Sequence, residues 1–215
     1  MRLPSWIDIS VPLSERTAPY PDDTPFAFQL TNAIRDGAIC NVSAIRMSPH
    51  VGTHADAPYH YHEQGETMGE ADLSLYMGPA RVIDLTSVRG LIRVRDLQQQ
   101  PLQGVTRLLV RTDSYLNPEQ FDASYTALAP EAVDYIAQQG IRLVGIDTPS
   151  VDPASSTDLK AHQRFFAHDL RILETLFLAH VVAGDYELIA LPLFLVGADA
   201  SPVRAVLRPL YTGDK

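Results

Sequence analysis

The sequence of 215 residues predicts an α/β fold. Three observations carry that prediction. Arg81–Thr86 (RVIDLT), Arg107–Thr112 (RLLVRT) and Ile141–Asp147 (IRLVGID) are short apolar runs rich in Val, Ile and Leu, the composition of buried strands. Pro130–Gln139 (PEAVDYIAQQ) opens on a proline and stops before Gly140, the expected bounds of a helix. That helix runs directly into the third strand, an order that packs helices against a sheet.

The length suits one domain with a substantial core. A hydrophobic fraction of 46% with 20% charged residues is that of an ordinary globular protein, so neither a membrane nor a disordered class applies. Seventeen Lys and Arg against 26 Asp and Glu leave a net charge of −9, which disfavours nucleic acid and anionic membranes as partners. The single cysteine, Cys40, excludes a disulfide within the chain and a cysteine-based zinc site. No apolar run approaches the ~20 residues of a membrane span. Met1 to Ser10 lacks a basic region followed by an apolar core, so no signal peptide is expected and the cytoplasm is the expected compartment.

Taken in order, Trp6–Ser10 (WIDIS) is a short strand. Pro12, Pro19, Pro21 and Pro25 then forbid a helix and impose a long, stiff loop that holds Tyr20. Asn41–Met47 alternates imperfectly and forms the next strand. Asp147–Ser150 ends the third apolar strand in a loop, a place where α/β folds often carry function. Ser150 lacks the Gly-x-Ser-x-Gly elbow of a nucleophile. Tyr186–Leu191 (YELIAL) and Ala205–Leu210 are further strands, with Ser201-Pro202 as a turn between them. No phosphate loop, dinucleotide fingerprint or basic-aromatic patch is present.

The chemistry concentrates in His50-Val-Gly-Thr-His-Ala-Asp-Ala-Pro-Tyr-His60. His50, His54, Asp56 and His60 share one parity, so on extended backbone they face one side. Imidazoles with a carboxylate form an N/O donor set that suits Zn²⁺, Mn²⁺ or Fe²⁺. A straight strand would hold His50 and His54 roughly 13 Å apart, too far to share an ion. The chain must therefore bend, and Gly52 permits it. Gly52, Thr53 and Pro58 argue against a helix. The expectation is a strand ending near Ser48, a tight ligand-bearing turn, and a short extended piece on which His54 and Asp56 lie about 7 Å apart. His62 is a weaker ligand candidate, assigned to solvent. Further on, His162 and Glu174 would stand about 18 Å apart on one straight helix, so they can meet only if the chain breaks between them. Asp169 is a plausible N-cap at such a break. His168 and His180 are assigned structural roles.

The motif His50-x-Gly-Thr-His-x-Asp-x-Pro-x-His60 resembles the signature of the cyclase-like metal hydrolases, whose members include bacterial arylformamidase (kynurenine formamidase) and isatin hydrolase. The resemblance covers nearly the whole chain. It is carried by Trp6–Ser10, Tyr20–Thr24, Ser48–His62, Gly145–Ser150, Ala161-His162, Ile172–Glu174, Gly184–Leu193 and Ala200–Arg204, and the C-terminal segments favour the arylformamidase branch. It implies the swivelling β/β/α cyclase-type architecture, a single domain with a mixed central sheet, in a homodimer. It implies two Zn²⁺ per subunit, with Mn²⁺ possible. His50, His54 and Asp56 would hold the first ion, Asp56 would bridge to a second that also takes His162, and Glu174 would contact both. His60 would donate and accept protons. Tyr20 stands where the family usually places a substrate-contacting Trp, so stacking area is lost and a hydroxyl gained.

What the resemblance implies for chemistry is hydrolysis of N-formyl-L-kynurenine to L-kynurenine and formate by zinc-bound hydroxide. The alternative is an Mn²⁺-dependent hydrolase of a cyclic aryl amide such as isatin.

Overall fold

The computed structural model describes residues 5–210; Met1 to Pro4, part of the stretch read for a leader, lie outside the described residues. In chain order the strands are β1 (Ile7–Asp8), β2 (Ala27–Asn32), β3 (Val42–Arg46), β4 (His54–Asp56), β5 (Met77–Asp84), β6 (Leu91–Ile92), β7 (Arg107–Arg111), β8 (Ala127–Leu128), β9 (Leu143–Ile146), β10 (Arg171–Glu174), β11 (Gly184–Ile189), β12 (Ala200–Pro202) and β13 (Val206–Pro209). The helices are α1 (Val94–Leu97), α2 (Pro130–Gln138) and α3 (Lys160–Ala167). Nine strands form one mixed sheet in the order β1-β13-β11-β5-β7-β9-β10-β4-β12. The four central strands β5, β7, β9 and β10 run parallel, and the flanking pairs are antiparallel.

The three apolar runs are the middle of this sheet, and their alternation is legible residue by residue. Leu108, Val110, Val144, Ile146 and Ile172 pack with Val133 and Ile136 of α2 and Phe165 of α3. Leu109, Leu143 and Leu173 point to the opposite face, where Ala55, Leu188 and Leu207 from both wings of the sheet close over them. A period-two backbone thus feeds two cores, one covered by helices and one enclosed by the sheet curling on itself. The apolar character of both faces explains why these strands read as continuous hydrophobic runs.

Helix α2 begins at Pro130, and Gly140 adopts φ +82°, as its bounds predict. Trp6–Ser10 contains β1, and Asn41–Met47 contains β3. Residues between Val11 and Phe26 form no strand or helix.

Two local expectations are corrected, and one strand is added. Ser201-Pro202 is not a turn but part of β12, whose Pro is tolerated because β12 is the edge of the sheet. Asp169 caps no helix. It takes φ +53° just after α3 ends, turning the chain into β10, so the break between His162 and Glu174 is a helix-to-strand transition. Finally β2 pairs antiparallel with β3 as a separate two-stranded ribbon that is exposed along its length.

Candidate metal centre

The ligand stretch folds as its residues require. Beyond β3 the chain turns through Pro49–Thr53, and Gly52 takes φ +72°. The bend brings the His50 and His54 rings to 4.9 Å between centroids, far closer than a straight strand allows. Thr53 anchors the turn. Its Oγ1 accepts from the Val11 N–H at 2.8 Å and donates to the Thr175 carbonyl at 2.6 Å. A Cβ on Gly52 would sit 2.7 Å from Leu13 Cδ2 and in the left-handed region. Gly52→Ala is therefore expected to cost about 1–2 kcal/mol, read as an earlier urea-unfolding midpoint; an unchanged midpoint would show that the bend does not need glycine.

Strand pairing supplies the rest. In the antiparallel ladder between β4 and β10, Glu174 lies directly opposite His54 and Ile172 opposite Asp56. Cross-strand neighbours share a face, so a residue 120 positions away is placed beside the motif. Glu174 Oε2 lies 3.4 Å from His54 Nε2, and Oε1 accepts from the Val151 N–H at 2.7 Å. His162 enters from the first turn of α3. Asp152 accepts from the Ala161 and His162 N–H groups, at 2.9 and 3.0 Å, satisfying donors that a helix start leaves open.

The resulting cluster is centred on Asp56, which is fully buried. Its Oδ1 lies 3.1 Å from His50 Nδ1 and 3.2 Å from His54 Nε2, and its Oδ2 lies 3.4 Å from His162 Nε2. His162 Nε2 is also 3.7 Å from Glu174 Oε1. His50, His54 and Asp56 offer donor atoms all within 4.8 Å of one another, and so do Asp56, His60 and His162.

These residues fit a cation. His54 Nδ1 bonds the Gly52 carbonyl at 2.9 Å, which fixes its proton there and leaves the Nε2 lone pair facing inward. His162 Nδ1 likewise bonds Asp152 Oδ2 at 2.7 Å. His54 Nε2, His162 Nε2 and both oxygens of Asp56 are buried and make no hydrogen bond. Converging lone pairs without a donor are repulsive unless positive charge lies among them. Outer carboxylate and carbonyl partners of this kind are the usual companions of metal-bound imidazoles.

The cluster forms one wall of a cavity of about 360 Å³. Tyr20 from the proline loop faces it, with its ring edge-on to Phe121 at 5.0 Å, and Tyr115, Pro118 and Leu159 add apolar surface. Among the described residues lining it there is no Lys or Arg. His60 sits in the same wall at the end of a short 3₁₀ turn, Pro58–His60, a third exposed, with its ring 4.1 Å from that of His50 and 5.8 Å from that of His162.

The other candidates the sequence offered lie outside the cluster. The His62 ring stacks on Phe166 at 3.8 Å, His168 Nε2 pairs with Asp134 Oδ1 at 2.7 Å, and His180 bonds the Asp8 carbonyl. Cys40 is exposed. Ser150 lines the cavity, and its Oγ accepts from the Asp152 N–H. Two acids escaped the sequence reading, Asp152 behind His162 and Asp199, whose Oδ2 lies 2.9 Å from His50 Nε2. Asp152 lies in a loop ten residues before His162 and Asp199 immediately before the edge strand β12, and neither position has a ligand spacing to mark it.

Residues 7–153 match the family described as "Putative cyclase". The chain belongs to the cyclase family. Its relatives include proteins named kynurenine formamidase from Bacillus cytotoxicus, 45% identical over 210 residues, and from Bacillus cereus, 43% identical; each alignment covers 98% of this chain and 100% of the relative. Among solved structures, "The Structure Of Potential Metal-Dependent Hydrolase With Cyclase Activity" superposes with a TM-score of 0.84 at 30% identity, covering 96% of this chain and 98% of that one. Isatin hydrolase A from Labrenzia aggregata superposes with a TM-score of 0.82 at 21% identity and so shares the cyclase-type fold.

Burial opposes charge on the cluster's imidazoles, yet the carboxylates that face them overcome it. They raise His50 to about 9 (Asp199, Asp56), His54 to about 10 (Asp56, Glu174) and His162 to about 10 (Asp152, Asp56). Burial would likewise raise Asp56, but its three imidazole neighbours hold it well below the usual carboxylate range. Without metal the site therefore holds protons at neutral pH, and metal must displace them. Metal uptake at pH 7 is expected to release more than one proton per chain, and affinity should climb with pH until the imidazoles are neutral near pH 9–10. Titration calorimetry in two buffers of different ionisation enthalpy measures this; zero net release contradicts it.

Proposed function

We propose that the chain is an arylformamidase that hydrolyses N-formyl-L-kynurenine to L-kynurenine and formate, a step of tryptophan degradation by the kynurenine pathway. The observation that carries this reading is the 45% identity, over nearly the full length of both chains, to a relative named kynurenine formamidase. The aromatic cavity beside the cluster supports it, since an aryl group can rest on Tyr20 and Phe121 while the small formyl end reaches the ligands.

Two Zn²⁺ per chain, or Mn²⁺ in their place, suit the donor set. His50, His54 and Asp56 would hold one ion, and Asp56 with His162 the other, while Glu174 contacts both. A cation bound there would supply Lewis acidity and lower the pKa of water to about 7. The protein's own part is proton handling and orientation. His60, on the cavity wall rather than buried among the ligands, takes a proton from the attacking water and gives it to the aniline nitrogen as the C–N bond breaks. Water adds across the amide, so formate and the free amine leave in balance. The ring of Tyr20 orients the aryl group, and its hydroxyl can accept a hydrogen bond as well as donate one, which a Trp indole cannot.

A homodimer is supported by apolar side chains on the surface. Phe28, Ile34 and Ile45 of the β2–β3 ribbon and Phe194 and Val196 before β12 are all more than half exposed. Among the described residues no helix is long and apolar enough to cross a membrane, in keeping with a small-molecule enzyme of the cytoplasm.

The deciding experiment assays metal-analysed protein on a panel of N-formylkynurenine, formanilide and isatin, with light scattering of the same sample reading twice the 23.7 kDa chain mass. Cleavage of the formamides but not of isatin is expected. Preference for isatin would replace the linear amide with a cyclic one.

A further inference from the structure

The cavity wall carries a carboxylate outside the proposed ligand set, Asp199, which with His50 and His60 brings donor atoms within 4.8 Å of one another. Asp199 Oδ2 lies 2.9 Å from His50 Nε2 and 3.6 Å from His60 Nδ1. Backbone pairing puts it there. The Ala57 N–H donates to the Asp199 carbonyl at 2.9 Å, and the next residue, Ala200, is registered opposite Asp56 in the β12–β4 pair. The ladder that carries Asp56 into the cluster therefore carries Asp199 to its outer side. The His50 and His60 rings are 4.1 Å apart and inclined by only 42°, so one oxygen can serve both.

The two rings present different nitrogens to that oxygen, and the difference matters. His50 Nδ1 is the atom beside Asp56 Oδ1, at 3.1 Å. If Asp199 accepts the Nε2 proton of His50, the lone pair of Nδ1 is left pointing into the cluster. If the same oxygen accepts the Nδ1 proton of His60, the lone pair of His60 is left on Nε2. One carboxylate would set both tautomers.

We propose that Asp199 is a positioning residue that couples the metal centre to the proton carrier, by holding His50 through Nε2 and His60 through Nδ1. The inference rests on the arylformamidase reading for the role of His60. The 3.6 Å contact is longer than a hydrogen bond, and contacts of this kind shorten in the substrate complex. His50 stays held throughout, so a ligand of the cluster and the base that works beside it move as one unit.

The test compares wild type, Asp199→Asn and Asp199→Ala on a series of formanilides of graded aniline basicity, with metal affinity read by competition with a chromogenic chelator. For unsubstituted formanilide, kcat should fall by about 10–100-fold with KM little changed. The fall should shrink as nitro substitution makes the aniline a better leaving group, because less proton delivery is then needed. Metal affinity should weaken by about tenfold. A loss of equal size across the series would overturn the hold on His60, since a general structural defect does not sense leaving-group basicity. Unchanged chelator competition would overturn the hold on His50. Should the wild type cleave no formanilide at all, the functional reading fails by itself, and the chelator arm still judges the contact with His50.

Discussion

Asp56→Ala is expected to strip the protein of its metal and, with it, of turnover. The residue is fully buried and stands between three imidazoles, 3.1 to 3.4 Å from a nitrogen of each. In the proposed arrangement both ions share it, and Glu174 is the other acid that reaches both. Its removal leaves three facing imidazoles with Glu174 as the remaining acid inside the cluster, too little negative charge to hold a pair of cations. Lewis-acid assistance is worth several kcal/mol, so activity should drop by about 10³-fold or more. Asp56→Asn is the control for shape, because it keeps the volume and removes the charge. Elemental analysis after dialysis and the N-formylkynurenine assay give the two readouts. An alanine variant with full metal and full turnover would falsify the bridging role and the centre built on it.

How far the centre was legible in the sequence follows from the range of the forces that build it. His50, His54, Asp56 and His60 lie within eleven residues, where side-chain parity and the freedom of Gly52 act locally, and the turn they predict is the turn observed. His162 and Glu174 are different. Spacing along the chain permits them to converge and cannot require it, because convergence depends on β10 lying antiparallel to β4 with Glu174 opposite His54. A one-residue slip would turn Glu174 to the far side. Only the resemblance to a family singled them out. Asp152 and Asp199 carried no such mark, since each acts on an imidazole 10 and 149 positions away through a contact made in three dimensions. The central sheet was readable because strands buried on both faces are written as apolar runs. The β2–β3 ribbon was half readable. Its AFQLTN alternates Phe28 and Leu30 with Gln29 and Thr31, a period-two signal present in the sequence but weakened by the lack of a covered face.

His60→Ala should separate proton transfer from metal binding. The geometry makes this a real choice, because His60 lies near enough to Asp56 and His162 to count as a third donor. Two features argue for the proton role. Its side chain is a third exposed, on the cavity wall, whereas those of His54, Asp56, His162 and Glu174 are buried. It also follows Pro58 in a separate 3₁₀ turn beyond β4, so its backbone is not held by the ladder that fixes His54, Asp56 and Glu174. Alanine here should leave metal content and thermal stability near wild type while kcat falls by about 10²–10⁴-fold, the usual worth of a positioned acid–base group. Added imidazole should restore part of the rate, since the cavity opened by the truncation faces solvent. The deficit should be largest for formanilides whose anilines are most basic, because those depend most on a delivered proton. If the variant instead loses one equivalent of metal and imidazole restores the metal along with the rate, His60 is a ligand, and proton delivery must be reassigned to another group lining the same cavity.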